Sequence, residues 1–367
     1  MVCLIGNSGT TENLKDGQTS KVRLYLKKIK DEGYEVNFID LENFTKHPFS
    51  TLIKIKKAIK SCERIVLITA KKGCRVLIPY INFFNKRLKK PFVLPLVGTS
   101  FLHFSIDKLS VEEKNRFLLK SDYSLSKRPI IFSKQLSKIT YIFPETDLLT
   151  KTFKNFYHLN NVITLTNFRE GFGNSGLTIV NNDNILRLVY LSRIMSEKGI
   201  FDLIQAVSDI NDNKKHITLD IYGDEFLKQD ESKLFNSYLD DSIIFRGHID
   251  FNEVVNTISK YDVFVFPTRF VGEGVPGVIV ESLLANTPIL TSDFPQVYSI
   301  LKNGYDSVFY KMFDKEDLKN KLLYLLKNKK QIIRLKEGVK ETAKKYTYKH
   351  ERSTFLKYIC GKDVNER

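Results

Sequence analysis

Arg193 and Lys198 stand close together between a run of strand-forming residues and a run with helical spacing. That placement predicts a strand-to-helix loop that carries two cations. Two cations in such a loop suit a diphosphate, and they would stabilise the negative charge that grows on it as it leaves. An ordinary exposed loop remains the alternative for this segment taken alone.

Glu273 and Glu281 form a second charged pair, placed around a predicted helix start. A strand is expected to end at Phe266, a glycine-rich turn follows, and the helix is expected to begin near Gly277. Open α/β sheets bind ligands at the carboxyl ends of strands, and the free N–H groups of a helix start, here those of Gly277 and Val278, attract phosphate. One carboxylate suits sugar hydroxyls and the other a ribose diol. Two solvated acids near a helix start are the alternative.

The elements that position these residues follow a simple alternation. Short β-branched runs alternate with longer runs of helical spacing, which is typical of βαβ units around parallel sheets. The alternation divides into two series, so the predicted fold class is α/β with two doubly wound, Rossmann-like domains. Strands are predicted at 2–5, 35–39, 64–68, 92–95, 129–132, 140–143 and 162–165, and then at 186–191, 216–222, 242–245, 263–266, 288–291 and 307–310. The junction is predicted in the Gly-rich, aperiodic segment 167–184.

Charge is distributed unevenly along the chain. The 58 Lys and Arg against 42 Asp and Glu give a net charge of +16, and residues 1–170 hold 30 of the basic residues but only 15 of the acidic ones. A basic half can face nucleic acid, an anionic membrane or a phosphate-bearing substrate, and solvated helix faces are the alternative. Segment 71–90 mixes basic and apolar residues, so it is typical either of a helix on an anionic bilayer or of a core helix with a solvated end.

Other classes of site find little support in the sequence. The four cysteines are scattered without metal-ligand spacing, so buried or incidental thiols are expected. No Asp-x-Asp motif follows a predicted strand, and no bound metal is expected. No run approaches the ~20 apolar residues of a membrane-spanning helix, and the chain opens on an expected strand rather than a secretory signal. A cytoplasmic protein is expected, with peripheral contact to the inner face of the plasma membrane as an open alternative.

Several segments together resemble the retaining family-4 glycosyltransferases. The resemblance rests on the Ser-Arg…Lys-Gly loop at 192–199, the Gly-Asp after a strand at 221–224, the base-flanking segment at 245–249, the Glu-x7-Glu motif at 273–281 and the Ala-x-x-Pro segment at 285–290. In the last of these, Asn286 and Thr287 depart from the small residues usual in the family. The resemblance covers about residues 180–310 well.

The resemblance implies a GT-B fold, in which two Rossmann-like domains face a central cleft. Residues 1–170, completed by a C-terminal helix at 349–367, would bind the acceptor, and residues 171–348 would bind the donor. The implied reaction transfers a sugar from a nucleotide diphosphate sugar, with UDP as the expected nucleotide, with retention of configuration and without a metal or other cofactor. The implied donor-binding residues are Arg193, Lys198, Ile249, Gly274, Gly277, Val278 and Glu281, and the implied catalytic residue is Glu273.

The first half resembles the family less closely. Gly17 lies in a loop similar to the family's glycine-bearing loop near the cleft, and His103 stands where a family histidine faces the sugar. An ordinary βα loop and a satisfied or surface histidine are the alternatives. If the membrane contact is real, a polyprenyl-linked glycan is the expected acceptor, and a free glycan is the alternative.

Three other functions remain open. A GT-B sugar-nucleotide epimerase or hydrolase would keep the fold but needs acids and histidines poised in the cleft, and the chain has six His. A non-catalytic GT-B partner subunit would show a degenerate donor site, whereas all four charged donor-site residues are present. A nucleic-acid binder rests on charge alone, without a recognition motif, so no nucleic acid is expected among the partners.

Overall fold

Each of the two sheets contains strands that are buried along their whole length. In the computed structural model, which describes residues 1–9, 17–98, 130–171, 185–212, 214–270 and 272–362, all residues of β1 (Val2–Gly6) are buried. The same holds for β9 (Val263–Phe266) and β10 (Ile289–Ser292). Continuous burial is what a parallel strand needs when helices cover both faces of its sheet. Every strand pair in the two sheets is parallel.

The first sheet has five strands in the order β2-β1-β3-β4-β5. After β1, its strands are β2 (Val36–Asp40), β3 (Arg64–Ile68), β4 (Phe92–Pro95) and β5 (Tyr141–Phe143). Its helices are α1 (Gly17–Asp31), α2 (Pro48–Ser61), α3 (Lys71–Leu88), α4 (Ile130–Leu136) and α5 (Asp147–Tyr157).

The second sheet has six strands in the order β11-β10-β9-β6-β7-β8. Besides β9 and β10, its strands are β6 (Leu186–Leu191), β7 (Ile217–Tyr222), β8 (Ile243–Gly247) and β11 (Ser307–Tyr310). The helices that follow α5 are α6 (Ile200–Ile210), α7 (Gln229–Ser237), α8 (Val254–Ile258), α9 (Gly277–Leu284), α10 (Val297–Ile300), α11 (Lys315–Lys327), α12 (Lys329–Ala343) and α13 (Tyr348–Phe355). One core of this unit gathers apolar residues of β6, β7, α6 and α11.

The chain divides into two units, and the division does not follow chain order throughout. The first unit comprises Met1–Asn167, Gly272–Pro276 and His350–Arg367, and the second comprises Phe168–Val271 and Gly277–Lys349. The loop Gly272–Pro276 therefore belongs to the first unit, although β9 before it and α9 after it belong to the second.

The C-terminal segment completes the core of the first unit. The Phe355 ring meets Tyr25 of α1 edge to face, with 5.1 Å between ring centres. A π-helical turn at Leu356–Cys360 follows, and its Tyr358 packs on Tyr141 of β5 at 4.8 Å. The backbone oxygen of Tyr358 accepts a hydrogen bond from Nη1 of Arg64 at 2.8 Å. Aromatic pairs of this kind add specific geometry to the burial of their area.

Two of the predicted strands are wrong. Residues 130–132 open helix α4 instead of a strand, because a short apolar run after Pro129 has the same pattern in either structure. Residues 162–165 form a single bridge, from Val162 to Ile142, beside β5. The N–H of Ile163 donates to the Ile142 oxygen at 3.0 Å, so this segment follows the sheet edge without extending the ladder.

Candidate functional site

The loop after β6 places Arg193 and Lys198 in different surroundings. Arg193 is exposed, and its guanidinium lies 6.0 Å from the ring centre of Phe226. Lys198 ends a 3-10 turn and is 9% exposed. Its ammonium lies 5.7 Å from the Phe266 ring centre and 5.4 Å from that of Phe270. Aromatic faces attract a cation, so each of these two side chains has an aromatic neighbour at the carboxyl edge of the second sheet.

Two glycines allow neighbouring loops to approach this segment. Gly199 has a φ of 73°, and a Cβ there would overlap the carbonyl oxygen of Pro267, which follows β9. Gly223, after β7, has a φ of 141°, and a Cβ there would overlap the carbonyl oxygen of Ser192. Only glycine fits such conformations and such close backbone contact. The loops after β6, β7 and β9 therefore pack directly on one another.

An ion pair that the sequence did not reveal joins the first turn of α6 to the loop after β9. Arg269 donates from Nε and Nη2 to the two carboxylate oxygens of Asp202, at 2.7 and 2.8 Å. Its backbone N–H also donates to the Glu197 oxygen at 2.9 Å. A bidentate pair fixes orientation as well as distance. The sequence carries one local signal for this pair, because Asp202 is an acidic residue in the first turn of α6. Its partner Arg269 is 67 residues away, so the sequence does not indicate the pairing.

Glu281 lies on α9 in an ion pair with Arg169, which was not among the predicted site residues. The Nε of Arg169 donates to Oε1 of Glu281 at 2.9 Å, and both side chains are largely buried. The guanidinium also crosses the first residue of the helix, since a Cβ on Gly277 would overlap Nη2 of Arg169. Gly277 and Val278 form the first turn of α9, where backbone N–H groups have no partner within the helix.

The segment predicted to flank the base follows β8 in the second unit. Ile249 is half-buried, between Gly247 and the 3-10 turn that begins at Phe251. The Phe251 ring lies 5.8 Å from Cζ of Arg169. The guanidinium of Arg169 therefore links Glu281 to the segment that follows Ile249.

The two unusual residues after α9 have local structural explanations. Asn286 takes a φ of 56°, and asparagine tolerates this left-handed conformation at a helix end better than most residues do. Thr287 is fully buried and donates its hydroxyl to the backbone oxygen of Ile258 at 3.1 Å. The small residues usual here in the family are therefore replaced without leaving the hydroxyl of Thr287 unsatisfied.

Glu273 and Gly274 belong to the first unit. Both are buried, and a Cβ on Gly274 would lie 2.5 Å from Oε2 of Glu145. That same oxygen accepts from the N–H of Val275 at 3.2 Å and from the N–H of Gly98 at 3.3 Å. The loop Gly272–Pro276 is thus held by a carboxylate after β5.

Glu145 is itself paired with a buried cation. Its Oε1 accepts from Nζ of Lys21 at 2.8 Å, and Nζ also donates to the Leu96 oxygen at 2.7 Å. The two charged side chains are 3% and 4% exposed. A buried ion pair is stable only when further hydrogen bonds satisfy its members, and the N–H groups of Gly98 and Val275 serve this purpose for Glu145.

The remaining predicted site residues are Gly17 and His103. Gly17 is the exposed first residue of α1, and within the described part of the chain nothing lies within 4 Å of where its Cβ would be. His103 lies outside the described residues. Across the described ranges no group of three His, Cys, Asp or Glu side chains is placed to hold a metal ion, and metal independence stays a prediction. No helix among those residues is both long enough and apolar enough to cross a bilayer.

The carboxyl edge of the second sheet therefore gathers cations, a helix start and a carboxylate. Arg193 and Lys198 follow β6, Ile249 follows β8, and Gly277 opens α9 ahead of Glu281. Ligands of open α/β sheets bind at such an edge. The arrangement can bind an anion through charge and N–H groups and can accept hydrogen bonds from hydroxyls.

Comparison with known proteins agrees with this arrangement. Residues 178–346 match the family model "Glycosyl transferases group 1". The chain is 24% identical over 254 residues to an uncharacterized glycosyltransferase of Methanocaldococcus jannaschii, MJ1069, covering 64% of this chain and 63% of that protein. A second glycosyltransferase of that organism, MJ1178, is 26% identical over 265 residues, with 72% and 66% covered. The alignments thus span just under two thirds of these relatives' own lengths.

Solved structures share this fold. HepE from Anabaena, solved in complex with UDP, superimposes with a TM-score of 0.73 at 12% identity, covering 98% of this chain and 100% of that chain. HepE has also been solved with UDP-glucose, and that structure gives a TM-score of 0.69. The two parallel-sheet α/β units are those of a GT-B fold, as predicted. The match to the glycosyltransferase group 1 family covers residues 178–346, and it agrees with the predicted enzyme class.

Proposed function

We propose that this chain transfers a sugar from a UDP-sugar to a glycan acceptor, with retention of configuration and without a metal ion. The observation that carries the proposal is the site after β6 and at the start of α9, where two cations and a helix start accompany Glu281. Anions bind at such helix starts, and a carboxylate accepts the hydroxyls of a ribose. The complexes of HepE with UDP and UDP-glucose support the choice of nucleotide.

In the proposed reaction the acceptor hydroxyl oxygen forms a bond to the anomeric carbon of the donor sugar. The bond from that carbon to the phosphate oxygen breaks, and the hydroxyl proton passes to the departing diphosphate on the same face. Arg193 and Lys198 stabilise the charge that grows on the diphosphate. Glu273 contacts the transferred sugar, and Glu281 binds the ribose. The products are a glycoside and UDP.

Nucleotide binding tests the donor site directly. We expect calorimetry to detect micromolar binding of UDP and weaker binding of GDP and ADP. Glu281→Ala should weaken UDP binding about tenfold or more, because it removes charge-assisted hydrogen bonds. Glu337→Ala, an exposed residue on α12, is the matched control. Absence of binding by all three nucleotides would reject the donor site and favour a non-catalytic partner subunit.

We further propose that the acceptor is lipid-linked and that α2 and α3 lie on an anionic bilayer. Phe49, Ile53, Val76 and Phe83 are large apolar side chains exposed on these helices, Phe49 by 81% and Phe83 by 74%. We call these four residues the apolar patch. The helices pack together, since the Tyr80 hydroxyl donates to the Leu52 oxygen at 2.8 Å.

The charge of this part of the chain supports an anionic bilayer as the surface on which α2 and α3 lie. Residues 51–100 contain 12 Lys and Arg but a single acidic residue, Glu63. Exposed basic residues on the two helices include Lys54, Lys57, Lys72, Arg75, Lys86 and Arg87. Basic residues attract anionic lipids while apolar side chains enter the interface. The buried residues of α3, such as Leu77 and Ile81, show that the same helix also packs against the core.

Vesicle sedimentation tests this surface. The protein should sediment with phosphatidylcholine vesicles that contain phosphatidylglycerol and stay in solution with phosphatidylcholine alone. The double variant Phe49→Ser/Phe83→Ser should reduce sedimentation several-fold, whereas Ile333→Ser, at an apolar position on α12 that is 50% exposed, should not. Equal sedimentation of wild type with both kinds of vesicle, or no effect of the double variant, would reject the bilayer as the partner.

A further inference from the structure

Arg169 is held in place by its own backbone, just where the second unit begins. Its N–H donates to the backbone oxygen of Tyr346 at 2.9 Å, and its oxygen accepts from the N–H of Tyr348 at 2.7 Å. The neighbouring Phe168 ring packs on Tyr348, with 5.3 Å between ring centres. A residue whose backbone N–H and C=O are both hydrogen-bonded has little conformational freedom. The position of the Arg169 Cα, from which the side chain extends, is therefore fixed.

The side chain of Arg169 is equally constrained. Nε donates to Oε1 of Glu281 at 2.9 Å, and Nη1 donates to the Phe168 oxygen at 3.0 Å. The guanidinium carbon lies 5.8 Å from the Phe251 ring centre. Only 12% of the side chain is exposed. Partners on three sides therefore fix the plane of the guanidinium, which a flexible ammonium group would not achieve.

Gly277 makes room for this arrangement. A Cβ at this position would overlap Nη2 of Arg169, so the guanidinium lies across the first residue of α9. The φ of Gly277 lies outside the left-handed region, so its lack of a side chain is explained by the guanidinium rather than by backbone conformation. Arg169 thus packs against Gly277 and Glu281 at the start of α9.

We propose that Arg169 is a positioning residue that fixes the carboxylate of Glu281 for recognition of the ribose hydroxyls of the donor. This inference rests on the proposed function and deepens it. A carboxylate has about four acceptor positions, so a bond from Arg169 leaves capacity for hydroxyl donors. A carboxylate that is already oriented loses less conformational entropy when the ribose binds. Arg169 thereby sets the preference for ribose over deoxyribose.

The test compares UDP with 2′-deoxy-UDP and 3′-deoxy-UDP by calorimetry. Wild type should prefer UDP by about tenfold or more over at least one deoxy analogue, as expected for loss of a hydrogen bond to a charged group. Arg169→Ala should reduce that preference to about twofold. Arg169→Lys should restore part of it. Combining Arg169→Ala with Glu281→Gln should cause little further loss, because residues that act as a unit are not additive.

The controls separate this inference from the proposed function. Arg334→Ala, an exposed arginine on α12, should keep the wild-type preference. If Arg169→Ala fails to fold by circular dichroism, the comparison rests on Arg169→Gln and Arg169→Lys, which keep the polarity of the side chain. Equal loss of UDP and deoxy analogues, or an unchanged preference, would overturn the role of Arg169 alone. Failure of wild type to bind UDP would reject the donor site, and this inference with it.

Discussion

Lys198 holds its ammonium group in a largely buried position. Its stem is buried at the end of a 3-10 turn, and its ammonium lies beside the rings of Phe266 and Phe270. Aromatic faces offer a cation electrostatic attraction without a full negative charge. Arg193, in the same loop, is exposed instead. The loop thus offers one held cation and one that is accessible from solvent.

Arg193→Ala should therefore remove transfer while leaving the fold intact. We expect kcat to fall about 100-fold or more, as when one group that stabilises a transition-state charge is deleted. Initial rates with a UDP-sugar and thermal unfolding provide the measurement, and Arg334→Ala is the control on an exposed helix face. Near-normal turnover of the variant would remove Arg193 from the proposed diphosphate site.

At this scale the sequence predicts residues that belong to local motifs and misses those that act across the chain. Arg193, Lys198 and Gly277 were predicted because each stands at a strand end or helix start that is readable from its neighbours. Arg169 was missed because its partner Glu281 is 112 residues away. Arg269 was missed for the same reason, since only the folded sheet brings it to Asp202. No periodicity in one sequence carries such a pairing.

Among the elements, the loop Gly272–Pro276 depends on a carboxylate from elsewhere in its unit. Glu145→Gln should lower kcat for transfer about tenfold and leave UDP affinity within about twofold, because it alters the loop that carries Glu273 while leaving the residues of the second unit unchanged. Steady-state rates and calorimetry separate the two effects. An equal fall in UDP affinity would contradict this division of roles.

Glu145→Ala provides a harsher comparison. It would leave the ammonium of Lys21 buried with the Leu96 oxygen as the partner described for it besides Glu145. Breaking one side of a buried ion pair costs about 3–5 kcal/mol, so this variant should unfold at clearly lower denaturant concentration than Glu145→Gln. Equal stability of the two variants would show that the pair contributes little.

The junction of the loops after β6 and β9 makes a second prediction at this scale. Gly199→Ala should destabilise the protein by more than the ~1–2 kcal/mol of a left-handed alanine, because its Cβ would also overlap the Pro267 oxygen. Gly304→Ala is a matched control, since Gly304 has a φ of 79° but no neighbour near its Cβ position. Chemical denaturation of both variants measures the difference. Equal losses would show that the close approach is not a constraint.

Elements were most predictable where apolar runs were long and bounded. All six strands of the second sheet lie at the predicted places, such as β7 within 216–222. Residues 130–132 were mistaken for part of a strand, because a few apolar residues fit either a strand or the start of a helix. Residues 162–165 have strand composition, but they pair at one bridge only, and pairing depends on the neighbouring strand rather than on composition.

At the scale of the whole molecule, the proposed chemistry relies on the protein's own charges. Removal of divalent metals with a chelator should leave transfer unchanged, because Arg193, Lys198 and the start of α9 supply the positive charge that the leaving diphosphate needs. Rates before and after EDTA treatment, with magnesium and manganese restored in turn, measure this. Strict dependence on either ion would contradict the metal-independent mechanism.

The alternation of strands and helices was enough to predict two doubly wound units, but not their full membership. The change of unit at Asn167 and Phe168 falls within the aperiodic segment from which a junction was expected. The assignment of Gly272–Pro276 to the first unit was not predicted, because chain order places this loop between two elements of the second. Its membership depends on the contact with Glu145, which lies 130 residues from Val275.

The return of residues 350–362 to the first unit has a consequence for synthesis. Residues 1–167 are synthesised before the second unit. Tyr25 and Tyr141 in this stretch can pack against Phe355 and Tyr358 only after the C-terminal segment has been made. The second unit consists of the single stretch 168–349 without the loop Gly272–Pro276. Domains made from contiguous chain can fold as they appear. The unit whose chain is made first is therefore the last to be finished, and until then its aromatic surface is open to chaperones.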